Sequence, residues 1–207
     1  MQFTDSDLDR LMLLLEWRRD VRHFRPDPIP DQALRHLERA MALAPSVGNS
    51  RPWRVVRVQS AELRQAAQAE FRRCNADAAT LYHGERLRHY DRLKLEGMET
   101  APLQLAVFSL EDPETGHGLG RQTMPQTLLQ STAMAIFSIW LAARAQNLGV
   151  GMVSILDPNR IEAILQRPAG WRFAAWLCIG HPTFDDDTPL LHREGWQEND
   201  ESDWEIL

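Results

Sequence analysis

The stretch Arg18-Arg19-Asp20-Val21-Arg22 carries more information about fold and function than any other part of this sequence. It follows Asp5–Arg18, where apolar residues recur at helical spacing, so this arginine-rich segment (Arg18–Arg22) is expected to end a first amphipathic helix. Arginine binds phosphate well because its planar guanidinium donates two parallel charge-assisted hydrogen bonds. Taken alone, the segment supports an anion site and an ordinary surface helix end about equally.

Two further segments have residue types that suit contact with a ligand. Pro45-Ser46-Val47-Gly48-Asn49 joins a helix to a strand and offers backbone N–H groups, a hydroxyl and an amide. A simple turn explains the same residues equally well. In Leu148–Ile155, Gly149 and Gly151 permit close backbone approach, as a bound planar ring would need, and Ser154 adds a hydroxyl. A helix end followed by a buried strand is the plain alternative.

In their order and spacing, these three segments resemble the nitroreductase-like flavoproteins, which bind FMN between two subunits. Additional matches make the chain similar to one branch of that superfamily, the 5,6-dimethylbenzimidazole synthases, from about Trp17 to about Trp196. The additional segments are Asn75–Ala79, Gly84–Arg86, Tyr90, Leu93–Gly97, Leu119–Arg121 and Pro125–Gln126.

The resemblance implies an α+β fold, with a nitroreductase-like central β-sheet flanked by helices, in an intertwined homodimer. It implies one FMN-binding domain over residues 1–207, with FMN at the dimer interface and Asp20 and Ser154 as catalytic residues. The FMN-binding positions that it implies are Arg18, Arg19, Asp20, Val21, Arg22, Pro45, Ser46, Val47, Gly48, Asn49, Arg51, Lys94, Val153, Ser154 and Ile155.

The activity that the resemblance implies is oxygen-dependent fragmentation of reduced FMN, which yields the lower ligand of vitamin B12. FMN is then a substrate and molecular oxygen a co-substrate, with electrons from an external flavin reductase or NAD(P)H. Asp20 favours this activity, because general nitroreductases usually have a small neutral residue there and a carboxylate beside the ribityl chain can act as a base. Two alternatives stay open: an NAD(P)H-dependent FMN enzyme that reduces a nitroaromatic, quinone or corrinoid, and a flavin-sequestering or partner-binding protein without turnover.

Several positions depart from the branch. Arg51 replaces a usual Gln, Asn49 follows the general nitroreductase pattern, and Thr127–Gln130 replaces Met-Asp-x-Tyr. Gln197 stands where an arginine is common. These departures concern substrate detail and phosphate binding rather than the FMN fold.

Composition excludes several other classes of protein. The 207 residues suit one domain, and a net charge of −6 disfavours nucleic-acid or anionic-membrane binding. No apolar run reaches membrane-spanning length, and no secretory signal is recognisable, so a cytoplasmic protein with Cys74 and Cys178 reduced is expected. No metal-ligand spacing is present, and Gly116–Gly120 does not match a dinucleotide-binding motif.

The hydrophobic periodicity predicts alternating helices and short strands. Thr127–Asn147 is apolar on more than one face, which is typical of a central core or subunit-interface helix. A helix over Glu85–Met98 would place Arg86, Tyr90 and Lys94 one turn apart, and the resemblance makes it a lid over the flavin. The acidic tail, Glu198–Glu205, is expected to be solvated. Further helices are predicted over Asp31–Leu43, Ala61–Ala79 and Asn159–Leu165, and strands over Trp53–Val58, Leu103–Leu110, Val150–Leu156 and Phe173–Ile179.

Overall fold

The computed structural model describes residues 1–200 and 204–206 and shows one antiparallel sheet with helices on both faces. The predicted α+β fold with a central sheet is confirmed. The helices are α1 Asp5–Trp17, α2 Asp31–Ala42, α3 Ala61–Ala79, α4 Gly84–Tyr90, α5 Thr127–Arg144, α6 Pro158–Ile164 and α7 Leu190–Arg193, and a 3-10 turn spans Val47–Asn49. The strands are β1 Trp53–Arg57, β2 Leu103–Leu110, β3 Gly149–Val153 and β4 Trp171–Gly180.

The sheet has the order β1-β2-β4-β3, so β1 and β3 are its two edge strands. The central strand β2 is buried at seven of its eight positions, which agrees with its continuous apolar sequence. Neighbouring strands lie roughly 4.8 Å apart, so the two edges are separated by about 14 Å.

Alternate residues of β2 enter two separate cores. Leu105 and Val107 pack with α2 and α5 on one face, whereas Ala106 and Phe108 pack with α3 and α6 on the other. This alternation follows from the two-residue period of a strand. One side of helix α5 therefore belongs to the core, because its buried residues face the sheet. The other side is partly exposed, and Phe137 there is 40% exposed.

Several predicted boundaries differ from the structure. Helix α1 ends at Trp17, helix α5 ends at Arg144 instead of Asn147, and strand β3 ends at Val153 instead of Leu156. Helix α7 and the 3-10 turn were not predicted. In the acidic tail, residues 198–200 and 204–205 are exposed, and residues 201–203 lie outside the described part of the chain. No helix that the structure describes combines the length and apolar character needed to cross a membrane.

Candidate active site

The arginine-rich segment is an extended strand-like edge beside β3, not the last turn of a helix. Arg18 already has extended backbone angles (φ −77°, ψ 109°), and the Val21 N–H donates to the Val150 carbonyl at 3.0 Å. Asp20 forms a parallel bridge with Val150. The prediction that the arginine-rich segment forms the end of the first helix is wrong, because that helix ends at Trp17.

Gly151 allows this segment to lie directly against β3. A Cβ atom at position 151 would overlap the Val21 carbonyl oxygen, so only glycine fits there. A Cβ atom at Gly149 would lie 2.6 Å from the Val21 Cγ2 atom. The sequence predicted that Gly149 and Gly151 let a planar ring approach the backbone closely. Within this chain it is Val21 that lies against these two glycines.

Arg18 points toward the outer side of α5. Its guanidinium carbon lies 5.5 Å from the ring centroid of Phe137 and 5.3 Å from that of Trp140, within the range of cation–π attraction. The Arg18 Nε atom is buried and has no hydrogen-bond partner among the described residues. Arg18 therefore has unused donor capacity.

The other two arginines bond to the protein in different directions. Arg19 donates through Nε to the Asp187 carbonyl at 2.7 Å. Arg22 donates through Nε to Asp20 and through Nη1 to the Lys94 carbonyl, at 2.9 and 2.7 Å. The three guanidinium groups therefore diverge, and they do not surround one anion within the single chain.

The Asp20 carboxylate is held through both of its oxygens. Oδ1 accepts a hydrogen bond from the Met152 N–H at 2.9 Å, and Oδ2 accepts from Arg22 Nε at 2.9 Å and lies 2.8 Å from Arg22 Nη2. The Asp20 side chain is nevertheless 31% exposed, against 12% for Arg22. The carboxylate is thus fixed in direction and still accessible to a ligand.

Ser154 lies at the exit of β3, close in sequence to the amide that binds Asp20. It follows Met152 by two residues and is exposed, between buried Val153 and half-buried Ile155. Its hydroxyl is therefore open to solvent in the single chain. Asp20 and Ser154, the two residues predicted to be catalytic, are placed by the same edge strand.

The predicted loop Pro45–Arg51 is a tightly closed turn in front of β1. Gly48, Asn49 and Arg51 have positive φ angles of 55°, 53° and 45°. The Ser46 hydroxyl was predicted to contact a ligand. It accepts a hydrogen bond from the Arg51 N–H at 3.0 Å and so already has a partner within the loop. The exposed side chains of Asn49 and Arg51 remain available to a ligand.

A glycine-rich loop that follows β2 braces this turn. A Cβ atom at Gly48 would lie 3.0 Å from the carbonyl oxygens of both Gly116 and Leu119, and the Thr115 hydroxyl donates to the Ser50 carbonyl at 2.6 Å. The sequence excluded Gly116–Gly120 as a dinucleotide motif but gave no sign of this packing, since contacts between distant loops leave no local pattern.

The predicted FMN-binding residues fall into two groups at opposite edges of the sheet. The arginine-rich segment and Ser154 adjoin β3, whereas Pro45–Arg51 leads into β1. About 14 Å, or three strand spacings, separates these edges. One chain does not bring the two groups together.

Lys94 lies in an irregular segment, because α4 ends at Tyr90 and the predicted helix Glu85–Met98 is wrong beyond that point. The Lys94 ammonium lies 2.9 Å from Glu96 Oε1, and Glu96 is buried and accepts the Met98 N–H. The backbone groups of this segment thus take tertiary partners in place of helical ones. Arg86, Tyr90 and Lys94 do not share a helical face.

Trp196 lies in the segment that follows α7 and packs against α4. The Arg86 guanidinium carbon lies 3.9 Å from a Trp196 ring centroid, and the rings of Tyr82 and His89 meet the indole edge-on. The buried Tyr90 donates its hydroxyl to Asn75 Oδ1 at 2.6 Å. Sequence reasoning missed this cluster, although the aromatic residues themselves were visible.

Neither a thiol nor a metal cluster contributes to this region. Burial, and then the negative charge of Glu96, raises the pKa of the Cys178 thiol, which therefore stays protonated. Both cysteines are free. Across the described residues, no three His, Cys, Asp or Glu side chains are grouped as a metal site.

A small cleft of about 50 Å³ opens beside the arginine-rich segment. Four of its lining residues are arginines, namely Arg19, Arg22, Arg144 and Arg193. Arg144 is already paired with Asp185 at 2.6 Å. Arg22 and Arg193 are likewise paired, with Asp20 and Asp186. Guanidinium groups bind phosphates through charge-assisted hydrogen bonds, so the neighbouring Arg18, whose Nε has no partner among the described residues, fits an anionic ligand such as a flavin phosphate better than these four arginines do.

Sequence comparison agrees with this fold. The profile of the Nitroreductase family matches residues 15–181, and the chain belongs to that family. More narrowly, it belongs with the 5,6-dimethylbenzimidazole synthases. A curated protein of that name from Rhodobacter capsulatus is 58% identical over 205 residues, 99% of each chain. One from Rhodospirillum rubrum is 53% identical over 195 residues, 94% of this chain and 92% of its own.

Solved structures show the same fold at much lower identity. An iodotyrosine deiodinase bound to FMN and 3-iodo-L-tyrosine has a TM-score of 0.73 at 20% identity, covering 95% of this chain and 97% of its own. A nitroreductase family protein from Clostridium novyi has a TM-score of 0.63 at 18% identity, covering 83% and 84%. At these identities the likeness concerns the fold alone.

Proposed function

We propose that this chain is a 5,6-dimethylbenzimidazole synthase that fragments reduced FMN in a reaction with molecular oxygen. The observation that carries the proposal is the 58% identity, over 99% of both chains, with a curated synthase. The accessible carboxylate of Asp20 supports it, because the residue is fixed in direction beside a cleft lined by arginines.

In this proposal the arginines and the edge of β3 hold the flavin. Arg18 binds the phosphate, because its Nε is buried and unpaired among the described residues. Arg19, Val21, Val153 and Ile155 contact other parts of the ligand. Reduced FMN supplies the electrons for oxygen activation and is itself consumed, and an external flavin reductase or NAD(P)H reduces the next FMN molecule outside the site.

Asp20 acts as the general base of the reaction. Three of the roughly four acceptor positions of a carboxylate are occupied in Asp20, which leaves one aimed toward a ligand. That position suits removal of a proton from the ribityl chain. Ser154 donates a hydrogen bond that orients the oxygen-derived group.

The site is shared between two copies of a single-domain chain in the cytoplasm. Pro45–Arg51 lies at the β1 edge, far from Asp20 at the β3 edge, and in this proposal a second copy supplies that loop. Asn49 and Arg51 then reach the flavin of the partner. Lys94 closes the site from its own chain, through its position beside Arg22.

The decisive experiment is incubation of the purified protein with reduced FMN in air. We expect 5,6-dimethylbenzimidazole to accumulate, as measured by chromatography with mass detection, and oxidised FMN without a reductant serves as the control. Oxidation of NAD(P)H with a nitro or quinone acceptor, without any benzimidazole, would instead identify a reductase.

Replacing Ser154 with Ala is expected to lower benzimidazole formation by about tenfold. One neutral hydrogen bond contributes roughly 0.5–1.5 kcal/mol, which corresponds to a factor of up to about ten in rate. The variant should still bind reduced FMN, because Asp20 and the arginines are unchanged. Product formation and flavin binding are measured side by side, with Ser6→Ala, an exposed position in α1, as the control. Unchanged product formation would remove Ser154 from the mechanism.

A further inference from the structure

Arg22 is the most extensively bonded residue of the arginine-rich segment. Its side chain is only 12% exposed, and its three nitrogen atoms all contact the protein. Nε and Nη2 face Asp20 Oδ2 at 2.9 and 2.8 Å, and Nη1 donates to the Lys94 carbonyl at 2.7 Å. A guanidinium already used in this way has little capacity to enclose a phosphate.

The contact with Asp20 fixes the direction of that carboxylate. Only one Asp20 oxygen is held by the backbone, at the Met152 N–H, and a single contact leaves the group free to turn about its last torsion angle. The paired donors of Arg22 bind the second oxygen and remove this freedom. The remaining acceptor position of Asp20 then has one orientation.

The contact with Lys94 extends this control to a second segment. Arg22 holds the Lys94 carbonyl, and the Lys94 ammonium is paired with buried Glu96. Asp20 and the Lys94 segment are distant in sequence and are connected here through one guanidinium. Their separation is set by Arg22, whose planar fork has defined donor directions.

We propose that Arg22 is a positioning residue, which orients the Asp20 carboxylate and holds the Lys94 segment against it, and is not the phosphate ligand expected from the sequence. This inference rests on the proposed synthase activity. The bond angles of a guanidinium explain why arginine is required there. Lysine keeps the charge but has one nitrogen atom, which cannot serve Asp20 and the Lys94 carbonyl in the same geometry.

The test compares Arg22→Lys with Arg25→Lys in the full-length protein. Arg25 is a matched control because its exposed side chain lies 3.4 Å from Asp27, with no other ion pair among the described residues. In Arg22→Lys we expect reduced-FMN affinity within about threefold of wild type and benzimidazole yield per FMN oxidised lower by about tenfold or more. Arg25→Lys should match wild type in both measurements.

Chemical rescue separates orientation from general structural support. Arg22→Ala should regain part of its product yield in millimolar guanidinium chloride but not in sodium chloride of equal ionic strength. Affinity lowered about tenfold with an unchanged yield per FMN would make Arg22 an FMN ligand and overturn the proposal. An unchanged yield at unchanged affinity would overturn it as well.

A spectroscopic measurement tests the inference independently of turnover. The carbon-NMR chemical shift of the Asp20 carboxyl group should change in Arg22→Lys and stay constant in Arg25→Lys. If wild type makes no benzimidazole but this shift changes, the proposed function fails and the positioning role stands. If the shift is constant in both variants, the positioning role fails whatever the enzyme makes.

Discussion

Replacing Asp20 with Asn is expected to lower 5,6-dimethylbenzimidazole formation by about 10²–10⁴-fold, the usual cost of losing a general base. The amide keeps the size of the side chain but has no basic oxygen. Binding of reduced FMN should stay within about threefold of wild type, because the arginines and the β3 edge are unchanged. Product yield, oxygen uptake and flavin affinity are measured on the same preparation.

A small loss of stability should accompany this substitution. Asn has one carbonyl oxygen, so either the Met152 N–H or Arg22 loses its acceptor, at about 1–3 kcal/mol. Asp27→Asn makes the same chemical change in an exposed pair with Arg25 and should leave the product yield unchanged. Normal product formation by Asp20→Asn would place the base elsewhere, and lost flavin affinity would make Asp20 a binding residue.

The parts of the fold that were predictable have strong local signals. The bounds of α3 and β2 agree with prediction, because Ser60 caps α3 and β2 is a mostly apolar run between Pro102 and Glu111. The two cores follow from the alternation along β2. These features depend on residues close in sequence, and periodicity reports such features directly.

The parts that were not predictable depend on distant partners. The arginine-rich segment is extended because Gly151 lets Val21 lie against β3, and Gly151 is far away in sequence. Helix α4 ends at Tyr90, and beyond it the Lys94 carbonyl bonds to Arg22, which is far away in sequence. Hydrophobic periodicity contains no information about such contacts.

The candidate site shows the same division. The resemblance picked out Asp20 and Ser154, and the structure places both at one edge of the sheet. It also made all three arginines FMN-binding residues, whereas Arg18, Arg19 and Arg22 point to different partners in the single chain. Residue type indicated the chemistry, but the direction of each guanidinium depends on tertiary contacts.

A wide apolar surface on α1 and α5 bears on the assembly. Within the described chain α1 buries none of its residues, and Leu8 and Met12 are 57% and 55% exposed. On α5, Leu129, Met134 and Phe137 are 55%, 42% and 40% exposed. An amphipathic helix normally buries its apolar side, so this surface suits the interface of the proposed homodimer.

Replacing Phe137 with Glu is therefore expected to separate the dimer. In a twofold-symmetric interface the change occurs twice, and loss of about 1.5–3 kcal/mol per side chain weakens association by roughly 10²–10⁴-fold. At micromolar concentration, sedimentation should give twice the 23.8 kDa chain mass for wild type and the chain mass for the variant.

Loss of flavin binding should accompany this dissociation, because Asn49 and Arg51 of one copy would no longer reach the β3 edge of the other. Leu63→Glu is the matched control, since Leu63 is an exposed apolar residue on α3, which packs on the opposite face of the sheet from α5. That variant should remain dimeric and bind FMN. If a monomeric Phe137→Glu protein still bound FMN with wild-type affinity, each chain would hold a complete site. If the wild-type protein were found only as a monomer, the shared site would be excluded.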